Sequence, residues 1–590
     1  MRRTTRFLVM SGLGMASMLG CDRVPIDGTV TDPITGEAKP AKPKSNTENI
    51  NILPIDNVND FNVTHTTQGW VAPTPTQADV PNLWVANKDD WSRGTVSKVD
   101  QKTNKETARY LSVTCKGNNA PDKCKDTTGG YVQQSENHPS RTAIGLDGRV
   151  FVANRAFGGG QGSVTAIAAN RTQCADRNGN NTIETSFDRN GDGLIQTDCN
   201  NNGLLDDGTE ACAEFYGLND ECVLWTTNID AKGQIARPLA VNRSNNNYSR
   251  SEVWAGSYSS GNVYKLNGET GDIEASSHLP GNLYGFAVDD TGRLWATAVG
   301  SGKLMWLNTA NPADQGTIRQ PVGFALGGYG IAIDKDKNIW LGGYGSTCQA
   351  FRYAPSTDKW NCFFNGKGSG NGRGVAVDAK HAYVARDGGH LLQIPRNAGN
   401  LNSEAAYDIS SANSIAVEGS STIGAGIGAP GTVWAVSLAG SRVNKIDVAP
   451  NGNLSLNGTA RNLEAEAIYG TVSHPNPYSY SDFTGYGVAQ LSGGVYQYDF
   501  TGARCGTSTP TWQRLSWNVA INYPTSNVAV DYSFDGVNWS SVIGASYNHT
   551  SQTMNQLSPE LHVRFTFSTS DAAVIPALKK IQVQYTCPPQ

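Results

Sequence analysis

One pattern recurs along most of this chain and limits what it can become. Between about residues 80 and 450, an apolar strand ending in Asp leads into a tight turn. A strand centred on an aromatic residue, a Gly-rich loop and a third alternating strand follow. The fullest copy is YGFAVDDTGRLWATAVGSGKLMWL at 284–307. RTAIGLDGRVFVAN begins at Arg141, YGIAIDKDKNIWLGG at Tyr329 and RGVAVDAKHAYVAR at Arg373. Looser copies are NLWVANKDDWSRGTVSKVD from Asn82, EVWAGSYSSGNVYKL from Glu252 and TVWAVSLAGSRVNKID from Thr432. Alternation with period two in Val, Ile, Trp and Tyr makes half-buried strands, and Asp-Gly or Asp-x-x-Gly supplies the positive-φ turn between them. The 65 glycines, and a charged fraction of 17% against roughly 25% in ordinary soluble domains, suit a chain made of short strands and turns.

The anchor aromatics are Trp84, Phe151, Trp254, Trp295, Trp340, Tyr383 and Trp434, and the last five are 41, 45, 43 and 51 residues apart. That interval suits one four-stranded blade per repeat. The pattern resembles the propeller superfamily that includes virginiamycin B lyase and the NHL and SMP-30-like propellers. An array of sandwiches would not repeat a Gly-Val-Ala-Val-Asp and Leu-Trp pair at fixed offsets. The expectation is therefore an all-β chain: a β-propeller of about seven blades over 49–495, then a β-sandwich over 497–590. The segment PNPYSYSDFTGYG at 475–487 breaks the period and reads as a closing or connecting loop. In the last domain, TWQRLSWNVAI, NVAVDYSFDGVNW, LHVRFTFSTS and KKIQVQYTC read as short strands of a sandwich with carbohydrate-binding character.

The N-terminus reads as an address. Arg2, Arg3 and Arg6 precede a short apolar stretch ending in Met18-Leu19-Gly20-Cys21, which resembles the lipobox of bacterial lipoproteins. Residues 1–20 are then a signal peptide, Cys21 the lipidated residue, and 21–48, rich in Pro and Lys, an extended tether. The implied location is the bacterial cell envelope, lipid-anchored in the periplasm or at the outer-membrane surface, with the membrane contacted through the lipid. Ten further cysteines behind a signal peptide predict disulfides. Cys115 with Cys124, Cys348 with Cys362 and Cys505 with Cys587 are the expected pairs. Cys174, Cys199, Cys212 and Cys222 allow three connectivities. A net charge of −5 excludes nucleic acid as a default partner.

Between the second and third repeats the spacing widens by an insertion at about 171–222. From 176 to 214 it carries nine acidic residues against two basic ones, in ordered copies of Asp-x-Asn-x-[Asn/Asp]. The copies are Asp176, Asn178, Asn180 with Glu184; Asp188, Asn190, Asp192; and Asp198, Asn200, Asn202 with Asp206. Calcium needs six to eight oxygens, and positions 1, 3 and 5 of such a loop turn theirs inward. The copies resemble the loops of EF-hands, dockerins and thrombospondin type-3 repeats, except that position 12 is Phe187, Cys199 or Thr209 rather than Glu. Calcium is the expected cofactor, in a structural role.

Catalysis has thinner support. The eight histidines are dispersed, and no nucleophile elbow, P-loop or HExxH is present. His381 and His390, with Glu404 or Glu418, are the one grouping that could mimic the His/Glu magnesium site of the lyase-like propellers. No active-site motif of that family matches residue by residue, so no catalytic residue is assigned. The channel is expected to be lined by Gly330-Ile331-Ala332, Gly374-Val375-Ala376 and their equivalents, which offer little acid–base chemistry. The sequence thus reads as a calcium-stabilised binding or scaffolding module for an envelope protein or glycan, more a binder than an enzyme. The alternative is a propeller lyase or hydrolase resembling virginiamycin B lyase.

Overall fold

In a computed structural model of the chain, the described residues are 29–31, 38–40, 44–50, 63–65, 71–73, 82–88, 94–114, 137–145, 148–157, 160–199, 212–243, 251–289, 291–365, 371–429, 431–438, 442–460, 477–480, 482–484, 495–521, 526–536, 538–542, 551–569 and 576–588. The chain is all-β. Its antiparallel sheets follow one another along the sequence as propeller blades do. Each of six sheets starts from an inner strand: Pro139–Ile144, Ala236–Arg243, Leu283–Val288, Ile331–Ile333, Gly372–Val377 and Thr422–Ile427. The next strand outward carries the anchor aromatic, and one or more further strands complete each blade. Consecutive inner strands touch, which wraps the sheets around one axis.

A further sheet, Asn82–Asn87, Thr95–Asp100 and Glu106–Leu111, lacks an inner strand from its own stretch of sequence. Residues 477–480 and 482–484 take that place. Asn87 bridges to Pro477, Tyr478 N donates to Ala86 O at 2.7 Å, and Trp84 N donates to Phe483 O at 2.9 Å. The aperiodic segment therefore closes the ring by joining late residues to the first blade.

The repeat is a hydrogen-bonded unit. Asp334 Oδ1 accepts the amides of Asp336 and Asn338, both at 2.9 Å, fixing the turn, while Oδ2 accepts Trp340 Nε1 at 3.0 Å. Asp289 repeats this with Thr291 N, Arg293 N and Trp295 Nε1, and Asp378 with Lys380 N, His381 N and the Tyr383 hydroxyl. All these anchor rings are buried. Inner strands approach closely at glycine. A Cβ on Gly330 would lie 2.6 Å from Arg373 O, and one on Gly374 2.6 Å from Ile423 O.

Residues after 495 form two antiparallel sheets over one core, with Trp512, Leu515, Ile581 and Val583 on one side and Val530, Val563, Phe565 and Phe567 on the other. The sequence reading placed a domain boundary at 48/49. Lys44–Ile50 instead pairs along its whole length with Ala577–Cys587, from Lys44 opposite Cys587 to Ile50 opposite Ile581, and Val71 pairs with Leu578. The end of the expected tether and the start of the expected propeller thus belong to the C-terminal sheets, because the last long strand has a free edge that they occupy. Thr29–Thr31 and Ala38–Pro40, also in the expected tether, pair with each other.

Among the described residues there are four disulfides: Cys174–Cys222, Cys199–Cys212, Cys348–Cys362 and Cys505–Cys587. The insertion's cysteines are nested, one pair inside the other. Cys115 and Cys124 lie outside the described residues, as do the signal peptide and Cys21.

Candidate functional site

At the entry ends of the inner strands the backbone is irregular. The strand pairing slips between Ala236 and Leu239, between Leu283 and Gly285, and between Gly372 and Val375. A bulge re-aims the side chains it holds, and these bulges hold Arg237, Tyr284 and Arg373. With Tyr329, they stand three residues before the residue opposite the anchor ring in their blades. Arg141, Arg155, and Tyr478 and Tyr480 of the closing segment join them.

The groups form one contiguous stack. Arg141 Cζ lies 3.2 Å from the centre of the Tyr480 ring and 5.2 Å from that of Tyr284, and its Nη2 donates to Tyr284 O at 2.6 Å. Arg237 lies 4.3 Å over Tyr284 and donates through Nη1 to the Tyr480 hydroxyl at 2.6 Å. Arg155 lies 4.2 Å over Tyr478 and 4.5 Å over Phe157. Tyr284, Tyr329 and Tyr480 pack ring to ring at 4.6–5.6 Å. Arg373 donates to the Tyr329 hydroxyl at 2.9 Å and forms a two-pronged ion pair with Asp387 at 2.9 and 2.8 Å. Tyr344, 40% exposed, covers Arg373 and packs on Tyr329 at 5.3 Å, while the half-buried Tyr258 packs on Tyr284 and the half-buried Tyr478 on Tyr480.

This corrects the expected channel lining. The Gly/Ala/Val strands do pass around the axis, but titratable groups converge at their ends. Burial pushes the guanidinium pKa values of Arg141 and Arg155 down, and the charge of Arg237 adds to it. Burial also opposes charge on Arg237, yet the hydroxyls of Tyr480 and Tyr284 outweigh it and hold that group above its usual range. Burial raises the Tyr284 and Tyr329 phenols. For Tyr478 burial acts the same way, but Arg155 and Arg237 prevail and bring its pKa to about 7. The signal was in the sequence. The quoted repeats open on Arg141, Tyr284, Tyr329 and Arg373, one position outside the alternation that marks the strand.

His381 and His390 are not brought together. They open two neighbouring antiparallel strands, His381 opposite Pro395 and His390 opposite Arg386, at opposite ends of the hairpin. Glu404 pairs with Arg319 and Glu418 with Arg442.

In the insertion the first two loops share one geometry. Asp176 accepts Gly179 N and Asn181 N, and Asp188 accepts Gly191 N and Gly193 N, all at 2.8 Å. Asn178 and Asn190 each accept the amide two residues on, as do Asn180 and Asp192. Gly179, Asn181, Gly191 and Gly193 have positive φ. Glu184 accepts the side-chain amides of Asn180 and Asn178, which with the first of these foremost hold its carboxyl below the usual range. Two residues missed by spacing hold these loops from outside. Glu221 accepts Arg177 N and Glu184 N, and Glu214 accepts Arg189 N, Asn190 N and Gln196 N. Counting each loop's first Asp as 1, both glutamates accept the amides at positions 2 and 9, and Glu214 also accepts the one at position 3. Asp198 is buried; Asn200, Asn202 and Asp206 lie outside the described residues. Among the described residues no three His, Cys, Asp or Glu side chains converge as a metal-holding group. The donors present in the loops are mainly amide and carbonyl oxygens with one or two carboxylates each.

No family model matches the chain, and no curated protein does. Several solved structures are similar in part. Virginiamycin B lyase from Staphylococcus aureus is 11% identical, over 54% of this chain and 83% of that one, with a TM-score of 0.36. A streptogramin B lyase is 15% identical over 37% and 68%, at 0.30. A protein from Lactobacillus plantarum is 12% identical over 68% and 98%, at 0.39. At these TM-scores none of the likenesses bears on activity, and the propeller rests on the order of its own sheets.

Proposed function

We propose that this chain is a cell-envelope lipoprotein whose seven-bladed propeller binds a ligand at the Arg/Tyr cluster on its axis, with a sandwich domain behind it and calcium holding the insertion rigid. One observation carries the binding reading. Among the described residues, the cluster centres on four arginines and several tyrosines; its single carboxylate, Asp387, is committed to Arg373, and the histidine beside it, His138, packs on Phe157 and gives its carbonyl to Arg155 Nε at 2.9 Å. Such a set recognises and orients, but lacks the paired acid and base of a hydrolase. Four disulfides suit an oxidising compartment. No helix among the described residues is long and apolar enough to cross a membrane. In the insertion, the two loops of matching turn geometry and the oxygen-rich side chains they carry, with Glu214 and Glu221 beside them, favour calcium, a cation that takes oxygen ligands.

A second reading, a lyase at the same axis, is favoured by Tyr478. A phenol held near neutrality between two arginines is a group that takes a proton. Capture of envelope components on the immobilised chain separates the two. A binder retains its partner unchanged, and loses it when Arg237→Gln is made. A lyase releases a new unsaturated product, and loses turnover in Tyr478→Phe. Cys21→Ser tests the address: the protein should leave the membrane fraction, and retention there would refute the lipid anchor.

A further inference from the structure

The axial cluster is short of negative charge. Arg141, Arg155 and Arg237 are 1%, 2% and 7% exposed, and among the described residues no carboxylate contacts any of them. Their neighbours are rings, hydroxyls and carbonyls. Each also keeps a buried N–H with no acceptor: Nε of Arg141, Nη2 of Arg155 and Nε of Arg237. Arg237 lies close enough to the other two to disfavour their charge. Ring faces offset part of this through cation–π attraction, but they do not accept in-plane N–H groups. Desolvating an ion is costly unless it is paired. The same chain shows what a paired arginine looks like. Arg109, equally buried, is held by Glu106 through two bonds of 2.8 Å, and Arg373 by Asp387.

We infer that an oxyanion carried by the ligand, a carboxylate or phosphate group, completes the cluster by accepting from Arg141, Arg155 and Arg237. This rests on the axis being the binding site. Guanidinium N–H groups lying in the plane of a stacked fork match the lone pairs of such an anion, and the half-buried Tyr258 and Tyr478 and the exposed Tyr344 give the cluster its solvent-facing side chains. Tyr478, as phenolate, is the internal group that competes for Arg155 and Arg237. The ligand class is therefore acidic, in a protein whose net charge of −5 gives no general attraction for anions.

The test is calorimetry on the full chain at pH 6 with citrate, with inorganic phosphate and with a neutral galacto-oligosaccharide, in wild type, Arg155→Gln, Arg237→Gln and Arg237→Lys. Citrate or phosphate should bind, each Gln variant should weaken it at least tenfold, and Lys should keep part of the affinity. Citrate alone points to a carboxylate-bearing ligand and phosphate alone to a phosphorylated one; both support the inference. Silence of both anions, or affinity unchanged in both Gln variants, overturns it. Binding of the neutral sugar, lost in the variants, would overturn the anion and leave the axial site standing. An envelope partner captured equally by wild type and variants would overturn the axial site itself. Where the Gln variants fail to fold, melting decides: citrate should raise the wild-type midpoint above sodium chloride of equal ionic strength, and no rise overturns the inference.

Discussion

Asp334 lets the logic of the repeat be tested at a single side chain. It is 2% exposed, and everything that touches it donates: the amides of Asp336 and Asn338, the Asn338 side chain at 3.0 and 3.1 Å, and Trp340 Nε1. Asp336 is exposed and finds water, but Asn338 and Trp340 are buried. Asp334→Ala thus strands two or three buried donors, at about 1–3 kcal/mol each, for a loss of about 3–6 kcal/mol. In a propeller of about 400 residues, at about 2.1 cal/mol/K of unfolding entropy per residue, this lowers the midpoint by roughly 4–7 °C. Asp334→Asn should cost nearly as much, because its NH₂ faces donors, whereas an ordinary surface Asp→Asn change costs almost nothing. Trp340→Phe keeps most of the ring and should lose only about 1 kcal/mol from the indole bond. Tryptophan fluorescence during urea unfolding follows the propeller. An Asn variant as stable as wild type, or an Ala variant within 1 kcal/mol of it, would refute the view that the carboxylate binds turn and anchor together.

Other outcomes follow from the site and the insertion. A phenolate absorbance near pH 7, from one residue whose ordinary value is 10.0, should vanish in Tyr478→Phe and move up in Arg155→Gln. Because its folded value is depressed, Tyr478 stabilises the propeller fully above its ordinary value and loses that contribution as pH falls through about 7; stability equal at pH 6 and 9 would contradict the assignment. The insertion should take up calcium with measurable heat and, after chelation, be cleaved near Asp188. Since Ile195, Phe215 and Leu218 pack on Leu111, chelation should also speed amide exchange in Glu106–Leu111; identical cleavage and exchange in both states would remove calcium from the account.

The blades were legible because their determinants are local. An alternating strand, an Asp and an aromatic five or six residues later form one hydrogen-bonded unit, so the pattern survives in sequence. The axial site was not read because Arg237, Tyr284, Tyr329 and Arg373 lie just outside the alternation, at bulges or strand starts. Their meaning appears only when several blades are brought around one axis. The pairing of Lys44–Ile50 with Ala577–Cys587 and the filling of the first blade by 477–480 and 482–484 join residues hundreds of positions apart, and no local period reports such contacts. Glu214 and Glu221 escaped for a related reason: they lie beyond the loops in sequence, and only the fold brings them against the loop amides they accept.

The most direct measurement is anomalous diffraction from crystals of the full chain grown in bromide, a monovalent anion that scatters distinctively. A bromide peak is expected on the propeller axis within hydrogen-bond reach of Arg155 Nη2 or Arg237 Nε, stronger than at an exposed arginine such as Arg171. An axis with no bromide, its guanidinium groups saturated by tyrosine and backbone oxygens alone, would contradict it.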